Sequence, residues 1–441
     1  MTVSSELSDQ ICPSSFATFH GCSLRYDKVL VAGAGPVGLL IALRLGQAGI
    51  QVDVFEKEES LSDNPRAAGY FAAALLALKK ANVLASVRQH GFTTHGLCWR
   101  KPVADDGNGG KRLGDIITSL TFPEAEGIDN GVIYPQCDLV KLLYSHAMNT
   151  GSVTVHFGHE MRVIQEEEDG IVATTRLPNG EEKCFHGAFL VGADGGKSAT
   201  RKLMGIPFKG HTWPERLVAV DLFTEINDLD HRIPTSMIVD PVHYGILTPL
   251  NKPEIGKKTL YRCSFAIDPE DSRSDDELST TTAIMPLLDK MIPGPRPLEV
   301  QVKKVSPYKI HQLCASTFRR GRCVLAGDAA HLNNKPFGAM GLCTGLIDAD
   351  ALSDALELII KEGKPLTLLD FYSDERRKVF QTFVDPISSQ NKLRCANDPE
   401  AAIEDWFLRA VSKASPADLI KLGAPFFEAW RTDMRTFVDT A

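Results

Sequence analysis

The residues whose types and spacing point most directly to chemistry lie between Lys28 and Glu56. A short run, Val29 to Ala32, ends in Gly33-x-Gly35-x-x-Gly38, a helix-like stretch follows to Gly49, and a second short run closes at Phe55 with Glu56 behind it. The spacing has a physical reason. Gly33 permits a tight turn out of the strand, Gly35 lets the backbone approach a pyrophosphate, and Gly38 lets helix and strand pack closely. The helix N-terminus offers free N–H groups and a partial positive charge to phosphates. Glu56 sits where a carboxylate accepts from ribose hydroxyls. This predicts a dinucleotide site, and either NAD or FAD satisfies it.

Two further clusters stand downstream. Gly192-Ala193-Asp194-Gly195-Gly196-Lys197-Ser198-Ala199-Thr200-Arg201 follows an apolar run, and Gly327-Asp328-Ala329-Ala330-His331 follows another, Cys323 to Ala326. Asp328 thus emerges at a strand end, where doubly wound sheets hold ligands. Other elements must position these groups. Phe71 to His90 has helical periodicity, Gln136 opens a helix, and Gly341 to Lys361 forms a long one. Short runs at 153–157, 162–166, 171–176 and 184–191 read as a meander with a hairpin at Pro178-Asn179-Gly180. Alternating runs at 217–224, 235–239, 245–248 and 259–267 read as a curved sheet. The tail from 366 is helical in character and is expected to pack on the outside.

Bulk properties narrow the classes. A chain of 441 residues with 43% hydrophobic and 24% charged residues is long enough for two interlocked domains. Its net charge of −8 offers no basic excess for a nucleic-acid partner. Ten cysteines without a Cys-x-x-Cys pair give no support for a zinc ribbon or a dithiol redox motif, and no metal site is expected. Residues 1–25 read as a flexible leader without signal-peptide character, and no run of eighteen apolar residues occurs. The expected compartment is the cytoplasm.

Together, Gly33 to Gly38 with Glu56, Gly192 to Arg201 and Gly327 to Gly345 resemble the single-component, aromatic-hydroxylase type of FAD-dependent monooxygenase, the group of p-hydroxybenzoate hydroxylase. The resemblance covers about residues 26–385. It implies an α/β fold in which a Rossmann-like FAD-binding domain, 26–206 and 311–385, interlocks with a β-sheet substrate domain, 207–310, before a helical tail, 386–441. By resemblance, Gly33, Gly35, Gly38 and Glu56 hold the ADP half of FAD, and Arg66 and Gln136 contact FAD. Asp194 and Gly195 lie near FAD and the path of the nicotinamide donor, and Asp328 accepts from a ribityl hydroxyl. Gly338, Ala339 and Gly341 lead into a helix whose N-terminal dipole faces the flavin ring and favours negative charge there.

The implied reaction uses NAD(P)H as a transient co-substrate. Reduced flavin adds O₂, and a C4a-hydroperoxide delivers one oxygen atom to an aromatic or polycyclic small molecule. No second GxGxxG is present, which fits a nicotinamide cofactor that visits without its own domain. His243, Tyr244, Tyr261 and Arg262 are the candidates to touch substrate: His or Tyr as a base for a phenol, Arg262 as a clamp for an anion. His331 is expected to hydrogen-bond structurally. Two departures from the family pattern stand beside the expected flavin ring: Cys343 where an Asn is usual, and one extra residue before Pro336. A flavin oxidoreductase of the same fold that inserts no oxygen is the alternative, and a non-catalytic flavin- or ligand-binding module is a distant third.

Overall fold

The computed structural model describes residues 28–121, 130–333 and 337–440; the leader 1–25 and the segment before Pro336 lie outside them. The central sheet runs, strand by neighbouring strand, Val153–Phe157, Gln51–Glu56, Lys28–Ala32, Phe189–Gly192, Cys323–Leu325 and Arg319–Arg320. All pairings are parallel except the last. Helices cover it, so its central strand is fully buried at Val29, Leu30 and Val31. That explains why these runs read as continuously apolar rather than alternating.

The expected four-run meander is a three-stranded one, Glu160–Glu166, Ile171–Arg176 and Glu182–Gly187. Val153–Phe157 and Phe189–Gly192 belong to the parallel sheet instead. The hairpin sits at Pro178-Asn179-Gly180, where Gly180 has φ +86°. The helix expected over 71–90 is two, Ala73–Lys80 and Leu84–His90, because Asn82 takes φ +58° between them. Asn is among the few residues that adopt this left-handed conformation at low cost.

The second sheet has eight strands in the order His331–Leu332, Gln301–Ala315, Phe208–Thr224, Thr259–Ala266, Gly245–Pro249, Thr235–Ile238, Gly96–Arg100 and Ile116–Thr121. It is therefore wider than 207–310: two strands come from between the first helices and residue 121, and Gln301–Ala315 runs past 310. One face packs a core of Val218, Val220, Leu222, Cys263 and Phe265 against Ile284 and Leu288 of the helix Thr281–Met291. The period-two alternation turns Ala219, Asp221, Arg262 and Ser264 to the other face.

The tail is not simply an outer layer. Trp430, at the end of the helix Pro416–Trp430, is fully buried, and its Nε1 donates to Thr344 Oγ1 at 3.0 Å. Its carbonyl accepts from Arg376 Nη1 at 2.7 Å. Among the described residues no helix is long and apolar enough to cross a membrane, and no cluster of His, Cys, Asp or Glu could hold a metal.

Candidate functional site

A cavity of about 2090 Å³ runs from Gly33 and Glu56, past Asp194 and Asp328, to Gly338–Gly341 and onto the free face of the eight-stranded sheet. The three motifs that the sequence separates by almost three hundred residues thus share one wall.

At its first end the glycines differ in what they do. Gly33 takes φ +103°, and a Cβ there would stand 2.5 Å from the Ala193 carbonyl oxygen. A Cβ on Gly38 would stand 2.0 Å from the Gly33 oxygen, so helix and turn are in direct contact. Gly35 is the opposite case: a Cβ there would meet nothing within 4 Å, and its φ of −77° is one any residue adopts. Gly35 is open to the cavity. The helix Pro36–Gln47 has no side-chain cap and no acid in its first turn, and Pro36 brings no N–H. Such an N-terminus is left for an anion. Glu56 accepts the backbone N–H groups of Ala34 at 2.9 Å and Glu58 at 3.0 Å, which fixes its carboxylate beside the turn. An open glycine, an uncapped helix and a fixed carboxylate in one cradle fit the ADP half of FAD.

Arg66 lies on the next stretch of wall with φ +39°, a strained value for a residue with a side chain. Its loop is pinned from two sides. The Gln136 N–H donates to the carbonyls of Pro65 at 3.0 Å and Ala67 at 2.8 Å. From the sheet, Arg262 Nη1 donates to the Arg66 carbonyl. Gln136 also lines the cavity.

Asp194 and Gly195 line the cavity as well. The Asp194 carboxylate, however, holds its own turn: it accepts from Ser198 Oγ at 2.5 Å, Thr200 N at 2.9 Å and Thr200 Oγ1 at 3.1 Å. Gly195, at φ +79° with open space around it, is the part of this motif whose backbone is open to the cavity. Asp328 lines the cavity just past the strand Cys323–Leu325. Behind it, Gly327 N donates to Asp348 Oδ2 at 3.0 Å, and His331 Nε2 meets the same oxygen at 2.7 Å. Arg376 Nε holds the other oxygen at 2.7 Å. Burial alone would push the fully buried Asp348 carboxyl up, but His331 and Arg376 outweigh it and hold it below the usual carboxylate range. His331 is therefore a structural hydrogen-bonding residue, as its position suggested.

The long helix is Met340–Glu362, and it too lacks a side-chain cap. Gly338 at φ +94° and Ala339 at φ +51° turn the chain so that this bare N-terminus meets the cavity. Gly345 and Gly327 both press on Val37: a Cβ on either would come within 2.8 Å of its Cγ2. The first and last motifs are packed as one body. Cys343, the departure from the family pattern, does not line the cavity. Its thiol is buried against the Gly69 carbonyl at 3.5 Å, and burial pushes its pKa up to about 12. The extra residue before Pro336 falls outside the described residues.

The substrate candidates fare differently. Arg262 lines the cavity, but its Nε and Nη2 each donate to Asp221 at 2.7 Å and its Nη1 goes to Arg66. A paired guanidinium is a strut between sheet and loop rather than an open clamp. Tyr261 points to the opposite, core face, as neighbours in a strand must. His243 lines a separate hollow with Asp268 and Lys290, and its Nδ1 lies 3.1 Å from the Ala266 carbonyl. Tyr244 is buried under Phe337 and is absent from the cavity wall. The residues present there went unnamed in the sequence: Trp99, Met237, Ile246, Tyr308, Asn391 and Phe407. Tyr308 OH is 2.5 Å from Ser264 Oγ. Alternation would have found Ser264 from Arg262. Nothing local marks Trp99 or Phe407.

Residues 26–386 match the family model described as FAD binding domain. A para-nitrophenol 4-monooxygenase of Pseudomonas sp. (strain WBC-3) is 33% identical over 411 residues, 90% of this chain and 96% of that one. The 6-hydroxy-3-succinoylpyridine 3-monooxygenase of Pseudomonas putida (strain DSM 28022 / S16) is 29% identical, over 92% of this chain and 98% of its own. The crystal structure of p-nitrophenol 4-monooxygenase from Pseudomonas putida DLL-E4 superposes with a TM-score of 0.80 at 30% identity, covering 92% of this chain and 98% of that one. With cradle, motifs and relatives in agreement, the chain belongs to the FAD-binding family of single-component, aromatic-hydroxylase-type monooxygenases, flavoenzymes that draw electrons from NAD(P)H.

Proposed function

We propose that this enzyme places one oxygen atom from O₂ on a small, single-ring aromatic that carries a ring hydroxyl, at the carbon para to that hydroxyl. The observation that carries the reading is the continuity of one cavity from the dinucleotide cradle, through Gly338–Gly341, to an aromatic wall of Trp99 and Phe407. The names of two relatives supply the position. In para-nitrophenol 4-monooxygenase and in 6-hydroxy-3-succinoylpyridine 3-monooxygenase, the numbered carbon lies opposite the hydroxyl across the ring.

Bound FAD would supply hydride acceptance and oxygen activation. The chain's own residues bind and orient. Gly35 and the uncapped helix Pro36–Gln47 would hold the pyrophosphate, with Gly33 and Gly38 allowing the tight turn and close packing, Glu56 would hold the ribose and Asp328 the ribityl chain. Gly338, Ala339 and Gly341 bring the N-terminus of Met340–Glu362 to the cavity, where its dipole would favour negative charge on a bound flavin. Arg66 and Gln136 would contact FAD, and Asp194 and Gly195 would lie near it and beside the approach of the nicotinamide donor. The wall of Trp99, Met237, Ile246 and Phe407 excludes water from the reacting ring. In this reading the sheet domain takes the substrate, with residues 96–121 added to 207–310.

Purified protein should be yellow. p-Nitrophenol should stimulate its NAD(P)H oxidation, and label from ¹⁸O₂ should enter the product. Flavin that is reduced at the same rate with and without any monocyclic phenol, with no label in product, would sink this reading in favour of a flavin oxidoreductase without oxygen insertion.

A further inference from the structure

The helix Asp385–Cys395 brings three polar residues to the cavity beside the flavin loop, Gln390, Asn391 and Arg394, in a region the sequence marked only as tail; Asn391 and Arg394 are hydrogen-bonded to each other. Arg394 is 6% exposed and locked. Its Nε donates to Asp405 Oδ1 at 2.8 Å, its Nη1 donates to Asn391 Oδ1 at 2.8 Å, and its guanidinium lies 4.5 Å from the Phe407 ring centre. Phe407 in turn meets Trp99 edge-on at 5.9 Å. The corner is therefore continuous with the aromatic wall.

Arginine has only donors, so it dictates the orientation of the Asn391 amide: the oxygen faces Arg394 and the NH₂ faces away. The Nδ2 atom lies against Gly338, 2.7 Å from where a Cβ of that glycine would stand. A side chain on Gly338, strained at φ +94°, would have to displace this amide, and the amide N–H groups lie at the edge of the flavin loop. An amide whose oxygen accepts from a cation is polarised, which strengthens its N–H groups as donors. Asp405 balances the charge of Arg394, so the corner offers a strong neutral donor rather than a free cation.

We propose that Asn391 is the specificity residue that receives the ring hydroxyl oxygen of the substrate in its ionised form, with Arg394 as its positioning residue. This rests on the reading of the substrate as a hydroxylated ring. A phenolate oxygen is the acceptor a polarised N–H favours, and a phenolate pushes electron density onto its para carbon, the position assigned above to oxygen. No group of the protein is then required to remain as a base during the reaction: the amide selects a substrate that has already lost its proton to solvent. It also accounts for a substrate wall in which His243 and Tyr244 take no part.

The test is equilibrium binding to the FAD-loaded enzyme, read by flavin fluorescence, with p-nitrophenol and its methyl ether p-nitroanisole at a pH where the phenol is ionised. The ether keeps the ring and the nitro group but cannot become an anion. Wild type should bind the phenol at least about tenfold tighter, as expected for a hydrogen bond to a charged group. Asn391→Asp keeps the partner of Arg394 but offers oxygen in place of N–H, and it should erase the preference. Asn391→Leu should erase it as well, which covers the case that the Asp variant loses flavin. Arg394→Met should reduce the preference while leaving ether binding within about threefold, because the amide loses its fixed orientation. Wild type binding both ligands equally, or either Asn391 variant keeping the full preference, overturns the proposal. Flavin loss in both variants together with an intact preference in the flavin-bound fraction overturns it too, and makes Asn391 a cofactor contact. Binding is read without turnover, so a wild type that prefers the phenol yet never oxidises it supports this corner while refuting the proposed reaction.

Discussion

The cofactor cradle and the proposed substrate wall line one cavity, yet they are built by opposite rules. In the cradle the chemistry belongs to the backbone: glycine φ angles, uncapped helix ends and a few carboxylates, each in a motif of six to ten residues. In the wall it belongs to side chains contributed by the strands Gly96–Arg100, Ile116–Thr121, Thr235–Ile238, Gly245–Pro249 and Gln301–Ala315 and by helices after 385, segments far apart in sequence. The cradle is held by close packing that leaves little room for change. The wall is held by pairs such as Arg262–Asp221 and Arg394–Asp405, each replaceable with its own local effect.

The largest effect should come from the charge buried behind the cradle. Asp348 is 0% exposed and joins Gly327, His331 and Arg376. Asp348→Asn leaves Arg376 without its counter-charge in the interior, and loss of one partner of a buried pair costs about 3–5 kcal/mol. Urea unfolding should report that loss near neutral pH. The sign with pH follows from the lowered carboxyl: its stabilisation is present above the unfolded-state value and disappears as pH falls through the folded-state value. The variant should therefore show a smaller difference between neutral and strongly acidic conditions than wild type does. An equal acid response in both would detach Asp348 from the stability of the cradle.

A pair of substitutions separates fold from binding within the same loop. Gly38→Ala drives a Cβ to 2.0 Å from the Gly33 oxygen, and forced overpacking costs about 1–3 kcal/mol. Both melting temperature and flavin content should drop. Gly35→Val enters open space at an ordinary φ, so the flavin-free protein should melt as wild type while flavin content falls. If Gly35→Val retains its flavin, the cradle is misplaced.

These differences explain what could be read from the chain. Gly33 to Gly38 was legible because a backbone that must approach phosphate leaves glycines at fixed spacing, whatever surrounds it, while Asp194-Gly195 and Gly327-Asp328 were legible through the family resemblance. Cys343 follows the same logic: its side chain turns into the core and is not part of the cavity wall. The wall was not legible. Tyr261 and Arg262 were both attractive by type, but the pleat allows only one of two neighbours to face the cavity. Asn391 and Phe407 stand in a segment whose composition reads as an ordinary helical tail, and only tertiary packing brings them to Gly338 and Trp99. The sheet itself spans more than its sequence-derived bounds because Gly96–Arg100 pairs in parallel with Thr235–Ile238, a long-range pairing that leaves no local mark.

The wall can be tested by removing one panel. Phe407 lies between Arg394 and Trp99, half-buried at the cavity surface. Phe407→Ala should raise KM for an aromatic substrate about tenfold, given the worth of an aromatic contact plus its buried area, while flavin content stays at the wild-type level. A matching loss of flavin would mean that wall and cradle are not separable.

The smallest expected effect discriminates most sharply between reading residues by type and reading them by place. Tyr244 has the type of a catalytic phenol, and burial raises its pKa well above the ordinary tyrosine value. Its hydroxyl is buried with no hydrogen-bond partner among the described residues, and its ring packs beneath Phe337 with the ring centre 5.3 Å from the Lys392 ammonium. An unpartnered buried hydroxyl contributes nothing to stability and costs its desolvation. Tyr244→Phe should therefore change stability by less than about 1 kcal/mol, in the stabilising direction, with kcat and KM at wild-type values. A general base in the same position would give the opposite outcome, because removing one lowers rate by about 10² to 10⁴. A hundredfold fall in kcat with the fold intact would return Tyr244 to the reaction, and it would require the Tyr244 hydroxyl to reach a cavity whose wall, in this structure, stops at Ile246.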